Sequence, residues 1–188
     1  MNKAVHTLVL LVFVFMGAFT NWVFTLSLPQ KIATHFDFSG KPDGFMTLHN
    51  HQSFITLSTI CFPLFMVLMV GVLPAWFPSL VNISHRDYWF APERKTQTLD
   101  YLFNMACKLG VLMVFFFVGL NVIIVLANNS YPVLMPKLPF FVFMALFLLG
   151  VFSWVVVLFL KFRKVDLLKV LPVSVRFFDI QIYYQFLA

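Results

Sequence analysis

Residues 138–160 (LPFFVFMALFLLGVFSWVVVLFL) run the length of a membrane crossing without one charged side chain. About 20 mostly apolar residues in a helix cross about 30 Å of hydrocarbon. Three further stretches meet that demand, at residues 4–28, 54–77 and 105–127. Composition agrees, with 61% of the residues hydrophobic and 11% charged. A soluble domain carries about a quarter charged residues and could not bury so much apolar surface. The expected fold class is therefore an all-α membrane protein, a bundle of four transmembrane helices. Two cysteines are too few for a secreted disulfide scaffold. The net charge of +6 comes from scattered residues and not from one basic face, so the expected surroundings are a lipid bilayer and not nucleic acid.

Pro63 lies inside the second stretch and Pro74 near its end. Proline is tolerated in membrane helices, and a bend is expected at Pro63. The first stretch is expected to be a span and not a signal peptide, since it is long and no small-residue cleavage site follows it. Basic residues set the orientation. With both termini in the cytoplasm, ten of the 13 Lys and Arg residues lie inside, and only Lys31, Lys41 and Lys137 lie outside. The expectation is N-in and C-in, with the first loop extracytoplasmic.

The division follows: a four-span domain over residues 1–160 and a tail over 161–188. The tail carries five basic and two acidic residues and ends Tyr183-Tyr184-Gln185-Phe186-Leu187. It is expected to lie at the interface or against another protein.

The first loop concentrates the polar chemistry. It holds His35, His49 and His51 of the five histidines, with Asp37 and Asp43. Gly40 and Gly44 bracket Lys41-Pro42-Asp43 as a tight turn. An ordered loop is expected. In extended chain, His35 and Asp37 share a face, as do His49 and His51. Imidazole and carboxylate suit zinc or copper(II), so His35, Asp37, Asp43, His49 and His51 form a candidate metal set. The alternatives are that these groups bond the loop's own backbone, or that they contact a small molecule or peptide.

The second loop, NISHRDYWFAPERKTQ, is the other candidate. Its recognition residues are His85, Trp89, Glu93 and Arg94, beside Pro42 and Gly44 in the first loop. Pro92 interrupts any helix through that segment. An extended loop with a helix starting after Pro92 is expected, with Tyr88 and Trp89 in the interfacial belt. By the orientation above, the two loops lie on opposite faces of the membrane.

Asn121 is the most polar side chain within a span. An amide in hydrocarbon needs a partner, and Ser153, Thr56, Ser58 and Thr59 are candidates. No charged residue lies near the middle of any span, which argues against an ion-coupled transporter. There is no phosphate loop, dinucleotide fingerprint, haem-attachment motif or nucleophile elbow, and an enzyme is not favoured.

Leu28-Pro29, Ile32, Thr34-His35-Phe36 and Ser39-Gly40-Lys41-Pro42-Asp43-Gly44-Phe45 resemble the signature of bacterial DUF1648 membrane proteins. That module also forms the amino-terminal part of SdpI-like immunity and signalling proteins. Asn82 to Trp89 and Ala91 to Arg94 resemble the segment that follows the second span in such proteins, so the likeness covers about residues 20–100. The expected function is non-enzymatic, a recognition or accessory subunit in a membrane complex, or an immunity or signalling factor. Another membrane protein or a second copy is the expected partner. The alternatives are a zinc- or copper-binding membrane protein and a small oligomeric transporter.

Overall fold

The structure, a computed structural model, describes residues 3–163. The fold is all-α, with four helices long and apolar enough to cross a membrane. Helix α1 spans Lys3–Thr25. A hairpin of β1 (Lys31–Phe36) and β2 (Pro42–Thr47) follows. Helix α2 (Leu48–Met66) continues through a π-helical segment, Val67–Val72, into α3 (Leu73–Trp76). After a short 3-10 turn and α4 (Arg86–Trp89) comes α5 (Pro92–Asn128), and the described chain closes with α6 (Lys137–Arg163). From residue 164 onward the expected tail lies outside the described residues, and Lys161 to Arg163 form the last turn of α6.

Two spans begin earlier than their apolar stretches. Helix α2 starts at Leu48 because Thr47 caps it, its hydroxyl accepting from the Asn50 amide at 3.2 Å. Helix α5 starts with Pro92 in its first turn, where a missing N–H costs nothing, and Glu93 beside it favours the helix N-terminus. The departure from α geometry in the second span is not at Pro63 but in the segment after it. There Leu73 N–H bonds the Leu68 carbonyl five residues back, a π turn that ends next to Pro74.

Helix α5 is central. It packs on α1, on α2 with its π segment, and on α6. The apolar core between α1 and α5 holds Leu10, Val14, Cys107 and Val114. Polar side chains lace α1, α2 and α5 together. Asn21 Nδ2 donates to Thr59 Oγ1 at 2.8 Å, and Thr59 Oγ1 donates to the Ile55 carbonyl at 2.7 Å. Gln52 Nε2 donates to Thr25 Oγ1 at 2.9 Å.

Helix α6 is attached differently. Only Phe162 of its residues is buried. It leans on α5, where Gly119 leaves room for the Phe143 ring that a Cβ would strike. Phe116 of α5 lies against Phe147, with ring centroids 4.3 Å apart. Trp154 Nε1 donates to the Met105 carbonyl at 2.7 Å. Trp89 Nε1 reaches the Phe162 carbonyl at 3.1 Å, satisfying one of the open carbonyls of the last turn. No extensive contact joins α6 to α2.

Candidate functional site

The hairpin is built by its turn. Asp37 Oδ1 accepts from Ser39 Oγ at 2.7 Å and from the Lys41 amide at 2.9 Å, and the Gly40 amide donates to the Asp37 carbonyl. Gly40 takes φ +86°, a left-handed conformation that glycine adopts without strain. The Ser39 hydroxyl and the Lys41 amide hold the Asp37 carboxyl below the usual carboxylate range. Across the strands, a Cβ at Gly44 would meet His35 Cβ at 2.8 Å. The bare glycine therefore lets the His35 side chain cross over β2, where Nδ1 pairs with Asp43 Oδ1 at 2.5 Å. Pro42 opens β2 opposite Phe36.

The hairpin is pinned at both ends. Ile32 and Ala33 are buried. Asn128, in the last turn of α5, accepts from the Ala33 amide and donates to the Ala33 carbonyl, both at 2.8 Å. One side chain thus serves as a strand neighbour to β1. At the tip, the Gly40 carbonyl accepts from the Met135 amide at 2.9 Å, just before α6. The hairpin therefore bridges from α5 to the start of α6.

Beneath this bridge lies a cleft of about 740 Å³. Its walls are Phe54 and Ile55 of α2, Leu120, Ile123 and Ile124 of α5, and Phe140 and Phe141 of α6. His51 and Asn121 add polar groups to the wall, and His35, Asp37, Asp43 and Lys137 line its hairpin end. Asn121 links three helices: its Nδ2 donates to the Asn21 carbonyl at 3.1 Å, and its Oδ1 faces His51 Nε2 at 2.9 Å. Its partners are therefore Asn21 of α1 and His51 of α2. The expected candidates Ser153, Thr56 and Ser58 are not among them, and Thr59 is joined only through Asn21. Asn21 was hidden in the sequence because it adjoins Trp22, which reads as the end of a span.

The metal set is corrected. No group of three or more His, Cys, Asp or Glu side chains that could hold an ion occurs among the described residues. The reason is helical. His49 and His51 lie in the first turn of α2, where residues two apart point in different directions. His49 is exposed, and His51 turns inward to Asn121. His35 is engaged with Asp43, and Asp37 is taken up by its own turn. Zinc or copper coordination by these residues is not supported. The signal that separates them is the cap, Thr47 three residues before Asn50, which starts a helix where an extended chain was read.

The second-loop residues gather at the opposite end of the bundle. His85 sits before α4 with φ 55°. Trp89 is held edge-on to both Tyr88 and Phe162, and its carbonyl accepts from Thr98 Oγ1 at 2.8 Å. Arg94 Nε donates to the Tyr88 carbonyl at 2.7 Å, and its guanidinium lies 3.9 Å from the Tyr88 ring centre. Lys161 lies over Trp89 and Tyr101, 5.3 Å from each ring centre. Glu93 is in the first turn of α5. These contacts fasten α4, α5 and α6 to one another.

The geometry defines a class: a multi-pass membrane protein, four spans with a hairpin-roofed lateral cleft at one end. A family model described as "Domain of unknown function (DUF1648)" matches residues 11–51, so that domain is present. The matched segment takes in most of α1, the hairpin and the first turn of α2, ending on His51. The second-loop likeness lies beyond the match. No curated protein and no solved structure matches the chain.

Proposed function

We propose that this protein is a non-enzymatic recognition module of the bacterial cytoplasmic membrane that binds a lipid in the cleft under its hairpin. The observation that carries this reading is the cleft itself. Its walls are mostly apolar, its charged groups cluster at the hairpin end, and α2 and α6 flank it with no extensive contact between them. Apolar walls with few placed polar groups suit an amphipathic ligand. A cleft flanked by spanning helices is reached from the bilayer. Phe38 and Tyr131 are fully exposed at that end of the bundle, as interfacial aromatics are. The uneven placement of Lys and Arg supports N-in and C-in, with the hairpin and cleft at the outer leaflet. An immunity, signalling or accessory setting belongs to the same reading, with the outward face of α6 available to a second membrane protein.

Native mass spectrometry of the protein released from mild detergent tests it, beside an Ile124→Trp variant that fills the cleft. Wild type is expected to retain one lipid that the variant loses, with helix content unchanged by circular dichroism. Equal lipid retention in both proteins would overturn the reading.

A further inference from the structure

Asn121 determines where the hydrogens lie in the cleft wall. Its Nδ2 donates to the Asn21 carbonyl, which can only accept. The amide is therefore held one way round, and it is Oδ1 that faces His51 Nε2. An amide oxygen only accepts, so Nε2 carries the hydrogen. His51 is 4% exposed and pairs with no carboxylate among the described residues. Burial in an apolar wall without a counter-charge keeps its imidazole neutral. A neutral imidazole protonated at Nε2 has a lone pair at Nδ1.

Nothing among the described residues donates to that lone pair. The polar atoms sealed away without partners are His6 Nε2, Asn21 Oδ1 and Asn104 Oδ1. His51 Nδ1 is not one of them, and His51 lines the cleft. Nδ1 thus has no protein donor and is not sealed away, on a residue that lines the cleft. His51 stands in the first turn of α2, roughly 5 Å below the helix start at 1.5 Å per residue. The hairpin end sets Lys137 against Asp37 and Asp43, so it does not select an anion.

We infer that the cleft takes a hydroxyl-ended, uncharged long-chain amphiphile, its hydroxyl donating to His51 Nδ1 and its chain lying against Ile124, Phe140 and Phe141. This rests on the lipid reading above and specifies the head of that ligand. A carboxylate or phosphate at the same depth would set its lone pairs against that of the imidazole.

The test uses the full chain in phospholipid nanodiscs and three photoreactive probes: a diazirine-bearing tetradecanol, its methyl ether and the matching tetradecanoate. The alcohol is expected to label cleft residues with an apparent affinity about 5-fold above the ether, the worth of one net hydrogen bond. The tetradecanoate is expected to fall below the ether. His51→Phe, which keeps a flat ring but offers no acceptor, is expected to bring the alcohol down to the ether. Should that variant misfold, nitrogen-15 histidine spectra of wild type decide, since only the alcohol should shift the His51 Nδ1 resonance. Equal labelling of the cleft by alcohol and ether would overturn the hydroxyl assignment while leaving the lipid site standing. Strongest labelling by tetradecanoate would overturn it in favour of an anionic lipid. Adducts absent from the cleft with all three probes would overturn the lipid reading as well.

Discussion

Helices α1, α2 and α5 hold together through buried polar side chains, whereas α6 is held by aromatic rings and two indole N–H groups. In the first set Asn21, Thr59, Asn121 and His51 bond across helices with little or no exposure. In the second, Trp154 and Trp89 donate to the backbone along the half of the bundle away from the hairpin, and the hairpin tip fastens the start of α6. Apolar side chains gain little by leaving lipid for protein, so bundles in a bilayer rely on close packing and interhelical hydrogen bonds. The three laced helices use both. The fourth uses packing on α5 alone plus attachments near its ends, and the space between α6 and α2 remains a cleft. A site and a structural core thus share a wall, at His51 and Asn121.

The sharpest way to break this contrast is Asn121→Leu. The side chains are close in size, so packing is largely kept, while the links to Asn21 and His51 are both lost. His51 Nε2–H is then left without its acceptor. The expected destabilisation is about 2 kcal/mol, from two interhelical bonds and one orphaned donor. Reversible unfolding in mixed micelles measures it. A variant as stable as wild type would mean that the polar lacing is not what holds α1, α2 and α5.

The four spans were legible because a bilayer imposes length and apolarity on any helix that crosses it. Their ends were less so. An apolar stretch stops where side chains become polar, but the helix continues as long as its backbone is capped. Thr47 and Pro92 mark starts ahead of the apolar residues. The hairpin turn was legible from Gly40, Pro42 and Gly44, whose backbone constraints are local. The cleft was not. Its wall joins His51 to Asn121, 70 positions apart, and nothing local to either residue specifies that meeting. The histidine pair was misread for a related reason, since its spacing of two brings side chains together in a strand and separates them in a helix.

Trp154→Phe probes the other half of the contrast with a smaller effect. The substitution keeps an aromatic ring and removes the hydrogen bond to the Met105 carbonyl. That carbonyl retains its place in α5, so the expected loss is about 1 kcal/mol. It should appear as faster local hydrogen exchange in α6, with α1 and α2 unaffected. Uniform loosening of all four helices would show that α6 and the laced core form one cooperative unit, and the contrast between them would fail.

The smallest effect belongs to the hairpin that joins the two halves. Asp37 is exposed, and its carboxyl is lowered by the Ser39 hydroxyl and the Lys41 amide. A carboxyl lowered on folding stabilises the turn at neutral pH, and this contribution fades as pH falls through the lowered value. The Ser39 and Lys41 amide resonances should therefore titrate together below the ordinary carboxylate range. Asp37→Asn should abolish that titration while leaving the four helices intact. The tip is what carries Gly40 to Met135 at the head of α6. Acid should therefore loosen the roof of the cleft before it touches the helices, a sequence that amide exchange at Met135 reads directly. Exchange at Met135 that stays constant while the Ser39 and Lys41 amides titrate would mean that the turn and the clamp on α6 are independent.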